Sequence, residues 1–385
     1  MQHKQYILVF LSIFFLICIS AISLSFYANP YNIDSFFSPK ESISYFGGTR
    51  TAKAAQIIQG DYDAFILGSS RSEIGINPRH SLWGKLNAYN ASLAGSNFIE
   101  TDKVFQTIIK HKKPKLILLA LDYSLFSKAR STSADFNLSR FNDSNSYFSS
   151  FFKEHLSKES IEKSFRTLKY TNKELPAKHR QGQKFGHLTF SNIIKRNGQH
   201  ELIFSTLEKK VINNDEAYSP QGYSVTKLSL LKELIKTCAD QDIKLIIVIS
   251  PIHALQLMTF KQIGIWDDFL SWKQTLTYLS STSNKVPLYD FTDLSTFISE
   301  KVPAHKGATP MQWFWETSHY KESMGDLILS RVMDPSSPIK QSFGVELTKE
   351  NIDLEISKQR GKLDWYEQDN SELRSKVLSL IQPKS

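Results

Sequence analysis

Short apolar runs that stop abruptly at Gly, Ser or Asp alternate along this chain with segments of helical apolar spacing, and that alternation predicts an α/β fold with a parallel sheet. Three runs carry the prediction: Ala64 to Leu67 ending at Gly68-Ser69-Ser70, Leu116 to Leu121 ending at Asp122, and Lys244 to Ile249 ending at Ser250-Pro251. Continuous apolar runs of this length are what strands buried on both faces look like. The 385 residues are enough for a full-sized core, and 41% hydrophobic with 22% charged residues is a globular balance that excludes extensive disorder.

Taken in order, residues 1–5 carry His3 and Lys4 and no acid, and Tyr6 to Phe26 is almost wholly apolar and uncharged. That is close to the roughly 20 residues a bilayer crossing needs. The positive-inside rule then predicts a cytoplasmic N-terminus, a membrane anchor over 6–26 and an exported remainder, which in a bacterium places the main domain in the periplasm or outside the cell. A cleaved signal peptide is the rival reading, since Ser20-Ala21-Ile22-Ser23 offers small residues, although without a clean cleavage pattern. Residues 27–49, with Asn29-Pro30 and Ser38-Pro39, read as a linker.

The main domain is expected over 50–335. Arg50 to Ile58 reads as a short helix leading into the first strand, Leu86 to Ser92 as a second strand running into Gly95, and Phe98 to His111 as a helix with Val104, Ile108 and Ile109 on one side. Strand three, Lys115 to Tyr123, follows Pro114. From 124 to 224 the pattern lapses into a segment rich in Ser, Asn, Lys and aromatics, with a basic patch from Lys178-His179-Arg180 to Lys184. Two readings of it stand: a solvated insertion, or a lid whose aromatics and cations hold a carbohydrate or a lipid headgroup. The pattern resumes with a helix over Val225 to Ala239, strand four over 244–251, a helix over Ile265 to Leu279, strand five over Pro287 to Phe291 and a closing helix over Tyr320 to Val332. Five parallel strands with intervening helices make a flavodoxin-like three-layer sandwich the most economical architecture. Residues 336–385 show heptad-like spacing at Ile352, Ile356, Leu363, Tyr366, Leu373, Val377 and Leu380, interrupted by Gln359 and Asn370. This is a long amphipathic helix that either packs back on the domain or pairs with a protein partner.

The net charge of +9 suits an anionic surface such as a membrane or an acidic polysaccharide. No helix-turn-helix, zinc-ligand or RNA-binding signature turns it into a nucleic-acid prediction. Two cysteines, Cys18 inside the apolar run and Cys238, exclude a disulfide framework and zinc-cysteine chemistry.

Strand ends at the carboxyl edge of such a sheet are where ligands bind, so Ser70 is a candidate nucleophile. Far down the chain, Trp315-Glu316-Thr317-Ser318-His319-Tyr320 places a carboxylate and an imidazole together. Acyl transfer needs a nucleophile, a base, a carboxylate to orient the base and donors for the oxyanion. Ser70 fits the first role, His319 the second and Glu316 the third, with the N–H groups of Ser70 and Gly95 facing the oxyanion. Arg71, Asp122 and His253, each near a strand end, are candidates for holding substrate. Neither a cofactor nor a metal is called for.

With these blocks the chain resembles the SGNH/GDSL hydrolase-like superfamily, in particular its membrane-anchored branch, which includes proteins related to alginate O-acetylation and teichoic-acid D-alanylation. The resemblance spans roughly Asp63 to Met333. Gly68-Ser69-Ser70 matches the first block and selects Ser70 over Ser69 and Ser72; Asn90 to Gly95 matches the second, with its oxyanion Gly; Glu316-Thr317-Ser318-His319 matches the final Asp-x-x-His with Glu for Asp. The third block, Gly-x-Asn-Asp, has no counterpart, since Ala120-Leu121-Asp122-Tyr123 stands there and no Asn supplies the oxyanion hole. The resemblance implies an SGNH-like fold and a serine esterase or O-acyltransferase acting on an acylated glycan or other envelope ester. The missing Asn leaves an alternative, a catalytically degenerate carbohydrate-binding or scaffolding membrane protein that keeps the fold.

Overall fold

Strand β1 (Ala64–Leu67) is buried along its whole length and pairs in parallel with β2 (Ala88–Asn90) on one side and β3 (Leu116–Leu121) on the other. These come from a computed structural model that describes residues 2–31, 50–137, 141, 151–152, 154–170, 183–184, 186–188, 198–213, 216–218, 221–282 and 286–381. β3 pairs in parallel with β4 (Lys244–Ile249), and β4 with β5 (Leu288–Asp290). The order β2-β1-β3-β4-β5 reverses direction beside β1, so the loop after β1 opens at a topological switch point. Every residue of β3 is buried, and each such Leu or Ile is worth about 1.5–3 kcal/mol of burial.

The sheet has six strands rather than five, and it is mixed rather than wholly parallel. A short β6 (Val345–Glu346) runs antiparallel along β5, extended by the Leu347 N–H donating to the Leu288 carbonyl at 2.8 Å. Without it β5 would present an open row of backbone groups at the sheet edge. β6 lies in the stretch read from sequence as tail, and two residues are too short to carry a period.

The tail helix packs back on its own domain. It is two helices, Ile352–Asp369 and Ser371–Ile381, broken at Asn370 and laid against Ala254–Gln262, with the first also meeting Trp266–Ser280. Gln359, which looks from sequence like a flaw in an apolar seam, is buried and is the anchor. Its Nε2 donates to the Thr292 carbonyl while its Oε1 accepts from Lys273, whose ammonium also pairs with Asp290 at the end of β5.

The chain divides into two units, 1–60 with 134–189, and 61–133 with 190–385. In the first, Gln2–Ala28 is one helix whose most apolar 18-residue stretch has a mean hydropathy of 2.9, and its span from His3 is long and apolar enough to cross a membrane. Its end packs on Lys158–Tyr170 and on the residues just before it: Ser25 Oγ donates to the Glu154 carbonyl at 3.1 Å, and Phe26 stacks on His155 with centroids 4.3 Å apart. The helix Arg50–Gln59 belongs to this unit, with Arg50 paired to Asp135 at 3.1 Å. Ser38-Pro39 of the linker, and Lys178-His179-Arg180 of the basic patch on which the lid reading leans, lie outside the described residues. The sheet and everything that follows belong to the second unit.

Candidate active site

Gly68 ends β1 against the neighbouring strand, where a Cβ would stand 2.5 Å from the Ala120 carbonyl oxygen and 2.4 Å from Ser72 Oγ, so only glycine fits. Ser69 then caps the helix Ser70–Gly75, accepting from the Arg71 N–H at 3.2 Å. Ser70 is the first residue of that helix and is partly exposed. Asn90 at the end of β2 ties the helix down from below, its Nδ2 donating to the Ser72 and Ile76 carbonyls at 2.8 and 2.9 Å.

Glu316 and His319 sit in a tight loop just before a helix. An antiparallel bridge between Phe314 and Tyr320 closes it, with Trp315 N–H donating to the His319 carbonyl at 2.9 Å and Lys321 N–H to that of Trp313 at 2.8 Å. Glu300 braces the approach by accepting the N–H groups of Gln312, Trp313 and Phe314 at 2.6, 2.9 and 3.0 Å. The loop leads into the helix Glu322–Met333, which crosses Ser70–Gly75 at closest range.

That crossing brings His319 to Ser70. Ser70 Oγ lies 2.8 Å from His319 Nε2, and His319 Nδ1 bonds Glu316 Oε1. An ionised carboxylate only accepts, so the imidazole proton resides on Nδ1 and the Nε2 lone pair faces the serine hydroxyl. Burial alone would raise the Glu316 carboxyl, but the His319 imidazole beside it and the Ser318 N–H, at 2.8 Å, outweigh burial and hold it below the usual carboxylate value. Glu316 also accepts the His319 backbone N–H at 3.1 Å, which fixes its rotamer against the loop.

Gly95 lies in an exposed turn with φ +67°, and the turn is held to β1 by the Leu93 N–H donating to the Gly68 carbonyl at 2.9 Å. The N–H groups of Ser70 and Gly95 donate to no protein group among the described residues, as donors kept for an oxyanion would.

The three residues proposed from sequence to hold substrate are otherwise engaged. Arg71 Nη1 donates to Asp122 Oδ1 at 2.8 Å with both side chains buried, and Ser69 Oγ donates to the other carboxylate oxygen. Burial opposes the Arg71 charge, and Asp122 beside it more than restores it. This pair braces the Ser70 turn from inside. His253 is fully buried and caps Ala254–Gln262: Nδ1 accepts from the Leu255 N–H at 3.1 Å and Nε2 donates to the Glu300 carbonyl at 2.8 Å. Burial pushes its imidazole down to about 4, so it is neutral, with both nitrogens spent.

Sequence reasoning misses Tyr218 and Gln256. Arg71 Nη2 and Gln256 Nε2 donate to the Tyr218 hydroxyl at 3.0 and 3.1 Å, and Ser318 Oγ donates to Gln256 Oε1 at 2.6 Å. A buried polar chain thus joins the residue after Ser70 to the residue before His319. Tyr218 comes from the 124–224 insertion and Gln256 from the middle of an apolar helix, and neither position carries a spacing signal.

Comparison of the sequence with family models and with curated proteins found no match to either.

Proposed function

We propose that this protein carries out serine-dependent acyl-ester chemistry, as an esterase or O-acyltransferase of the SGNH/GDSL hydrolase-like kind. The observation that supports this most is the line Ser70 Oγ, His319 Nε2, His319 Nδ1, Glu316 Oε1, with 2.8 Å across the first contact. Ser70 Oγ attacks the acyl carbonyl while His319 Nε2 takes its proton, and Glu316 stabilises the imidazolium through Nδ1–H. The tetrahedral oxyanion faces the N–H groups of Ser70 and Gly95. Its collapse expels the alcohol, which receives the proton back from His319, and leaves Ser70 acylated. Water then gives hydrolysis, and a glycan hydroxyl gives transfer. With Asp122 committed to Arg71 and Ser69, the strand-three donor of the resembled family has no substitute in that loop.

The N-terminal helix, the positive flank before it and the net charge of +9 support a place on the outer face of a bacterial cytoplasmic membrane, acting on a cell-envelope or secreted glycan. A fluorophosphonate probe tests the chemistry. The full chain in detergent is expected to label at Ser70, and the Ser70→Ala and His319→Ala proteins are expected to lose labelling and p-nitrophenyl acetate hydrolysis together. A protein that stays unlabelled while binding glycan would instead be the non-catalytic scaffold.

A further inference from the structure

Arg130 stands beside the turn that carries Gly95, with Nη2 3.8 Å from the point where a Cβ on that glycine would lie. Its backbone is fixed. The N–H donates to the Ser127 carbonyl at 3.3 Å, and its carbonyl accepts from Asn97 Nδ2 at 3.1 Å and from Lys227 Nζ at 2.9 Å. Lys227 is itself a buried ammonium held, among the described residues, by carbonyls, the second being that of Ser127 at 2.6 Å. The turn from 127 to 130 is therefore built to hold its position, and the guanidinium projects from a rigid base.

The guanidinium itself makes no hydrogen bond and no ion pair among the described residues. The acids nearest it are spoken for: Asp122 by Arg71 and Ser69, and Glu100 by the Ser133 N–H at 2.8 Å and its hydroxyl. Burial disfavours its charge and outweighs the rest: Tyr218, Asp122 and Glu100 favour the charge from a distance, and Arg71 adds a smaller repulsion. A guanidinium that is partly withdrawn from water and makes no direct hydrogen bond or ion pair among the described residues costs free energy in this site. An anionic ligand would relieve that cost, and a guanidinium's planar fork matches carboxylate and phosphate oxygens.

We infer that Arg130 is a specificity-determining residue of the Ser70 site, and that it holds a carboxylate or phosphate carried by the ester substrate on the Gly95 side of the nucleophile. This rests on the acyl-ester reading above. It makes the preferred substrate an anionic ester, with the charge on the alcohol portion or on a neighbouring unit of a polymer.

The test compares 4-acetoxybenzoate, 4-acetoxyphenyl phosphate and neutral phenyl acetate as substrates of the full chain in detergent, beside Arg130→Gln and Arg130→Lys. The ratio of kcat/KM for an anionic ester over phenyl acetate is expected to fall on the order of tenfold or more in Arg130→Gln, chiefly through KM. Arg130→Lys should recover part of it. The two anions separate carboxylate from phosphate preference. A ratio unchanged in Arg130→Gln, or an equal loss of kcat on all three esters, overturns the inference. Binding is read independently by calorimetry with 4-hydroxybenzoate, phenyl phosphate and phenol on the Ser70→Ala protein. Arg130-dependent, charge-selective binding without turnover in the parent would sink the acyl-ester reading and leave only the anion-binding role of Arg130 standing. Turnover without charge selectivity would do the reverse.

Discussion

Gly75 and Gly325 touch backbone to backbone: a Cβ on Gly325 would lie 1.7 Å from the Gly75 carbonyl oxygen, and one on Gly75 would lie 1.9 Å from the Tyr320 ring. Through this contact the helix behind Ser70 and the helix behind His319 approach closely enough for the 2.8 Å bond between serine and imidazole. The pairing of Ser70 with His319 is thus a consequence of helix packing through two missing side chains.

Gly325→Ala is expected to force the two helices apart. Overpacking of this kind typically costs about 1–3 kcal/mol, and the whole displacement falls on the Ser70–His319 contact. Urea denaturation should show the loss of stability, and the rate of fluorophosphonate labelling should fall further than the stability loss accounts for. A variant with parental stability and labelling rate would refute the role given to this contact.

Glu316→Gln tests the tautomer argument. A glutamine amide can donate to Nδ1, which moves the imidazole proton to Nε2 and leaves no lone pair for the serine proton. By the logic of Ser-His-acid sites, labelling and ester hydrolysis should fall by roughly 10³–10⁴-fold with the fold intact by circular dichroism. A loss under tenfold would mean that Glu316 does not orient His319.

How far the sequence reaches is clear from single residues. Ser70 is legible because a buried apolar strand must stop somewhere, and Gly68-Ser69-Ser70 marks the stop; His319 and Glu316 are legible because they lie three apart in sequence. Val104 and Ile108 are buried on one side of Phe98–His111 as the helical spacing requires, with Phe105 buried and Ile109 half-buried beside them. Gly325 and Gln256 are illegible. A glycine or a glutamine inside a helix reads as a weak position, and only the tertiary contact gives it a purpose. Gln359 is the same case, and so is Asp122, whose place at a strand end suggests a ligand contact while its partner Arg71 lies 51 residues away in the chain.

Stability is expected to depend on His253 below neutral pH. Its folded value, about 4, lies under the ordinary 6.5, so below 6.5 the unfolded chain takes up a proton that the folded protein refuses. Stability therefore declines as pH falls from 6.5 towards 4, by roughly 3 kcal/mol from this group alone. His253→Asn retains a capping side chain and does not titrate, so it should start less stable and decline less over the same window. Urea midpoints at pH 7 and pH 4.5 check this; equal declines in both proteins would show that His253 is not the group responsible.

Gln256→Leu, finally, separates the polar chain from simple packing. The substitution preserves volume approximately but leaves Ser318 Oγ without its acceptor and removes one of the donors to the Tyr218 hydroxyl, with Arg71 still donating to it. A buried polar group left unsatisfied costs about 1–3 kcal/mol, so a stability loss of that size is expected. Positioning adds a second effect, because Ser318 precedes His319 and donates its N–H to Glu316 at 2.8 Å. If the chain holds the base in place, kcat should fall about tenfold while KM changes little, and the pH profile of kcat should shift because the Glu316–His319 contact loosens. Tyr218→Phe leaves Gln256 and Ser318 bonded to each other and removes the link to Arg71, so it should show the smaller kcat loss of the two. Equal kcat in parent and Gln256→Leu, at temperatures where both are folded, would reduce Gln256 to a packing residue.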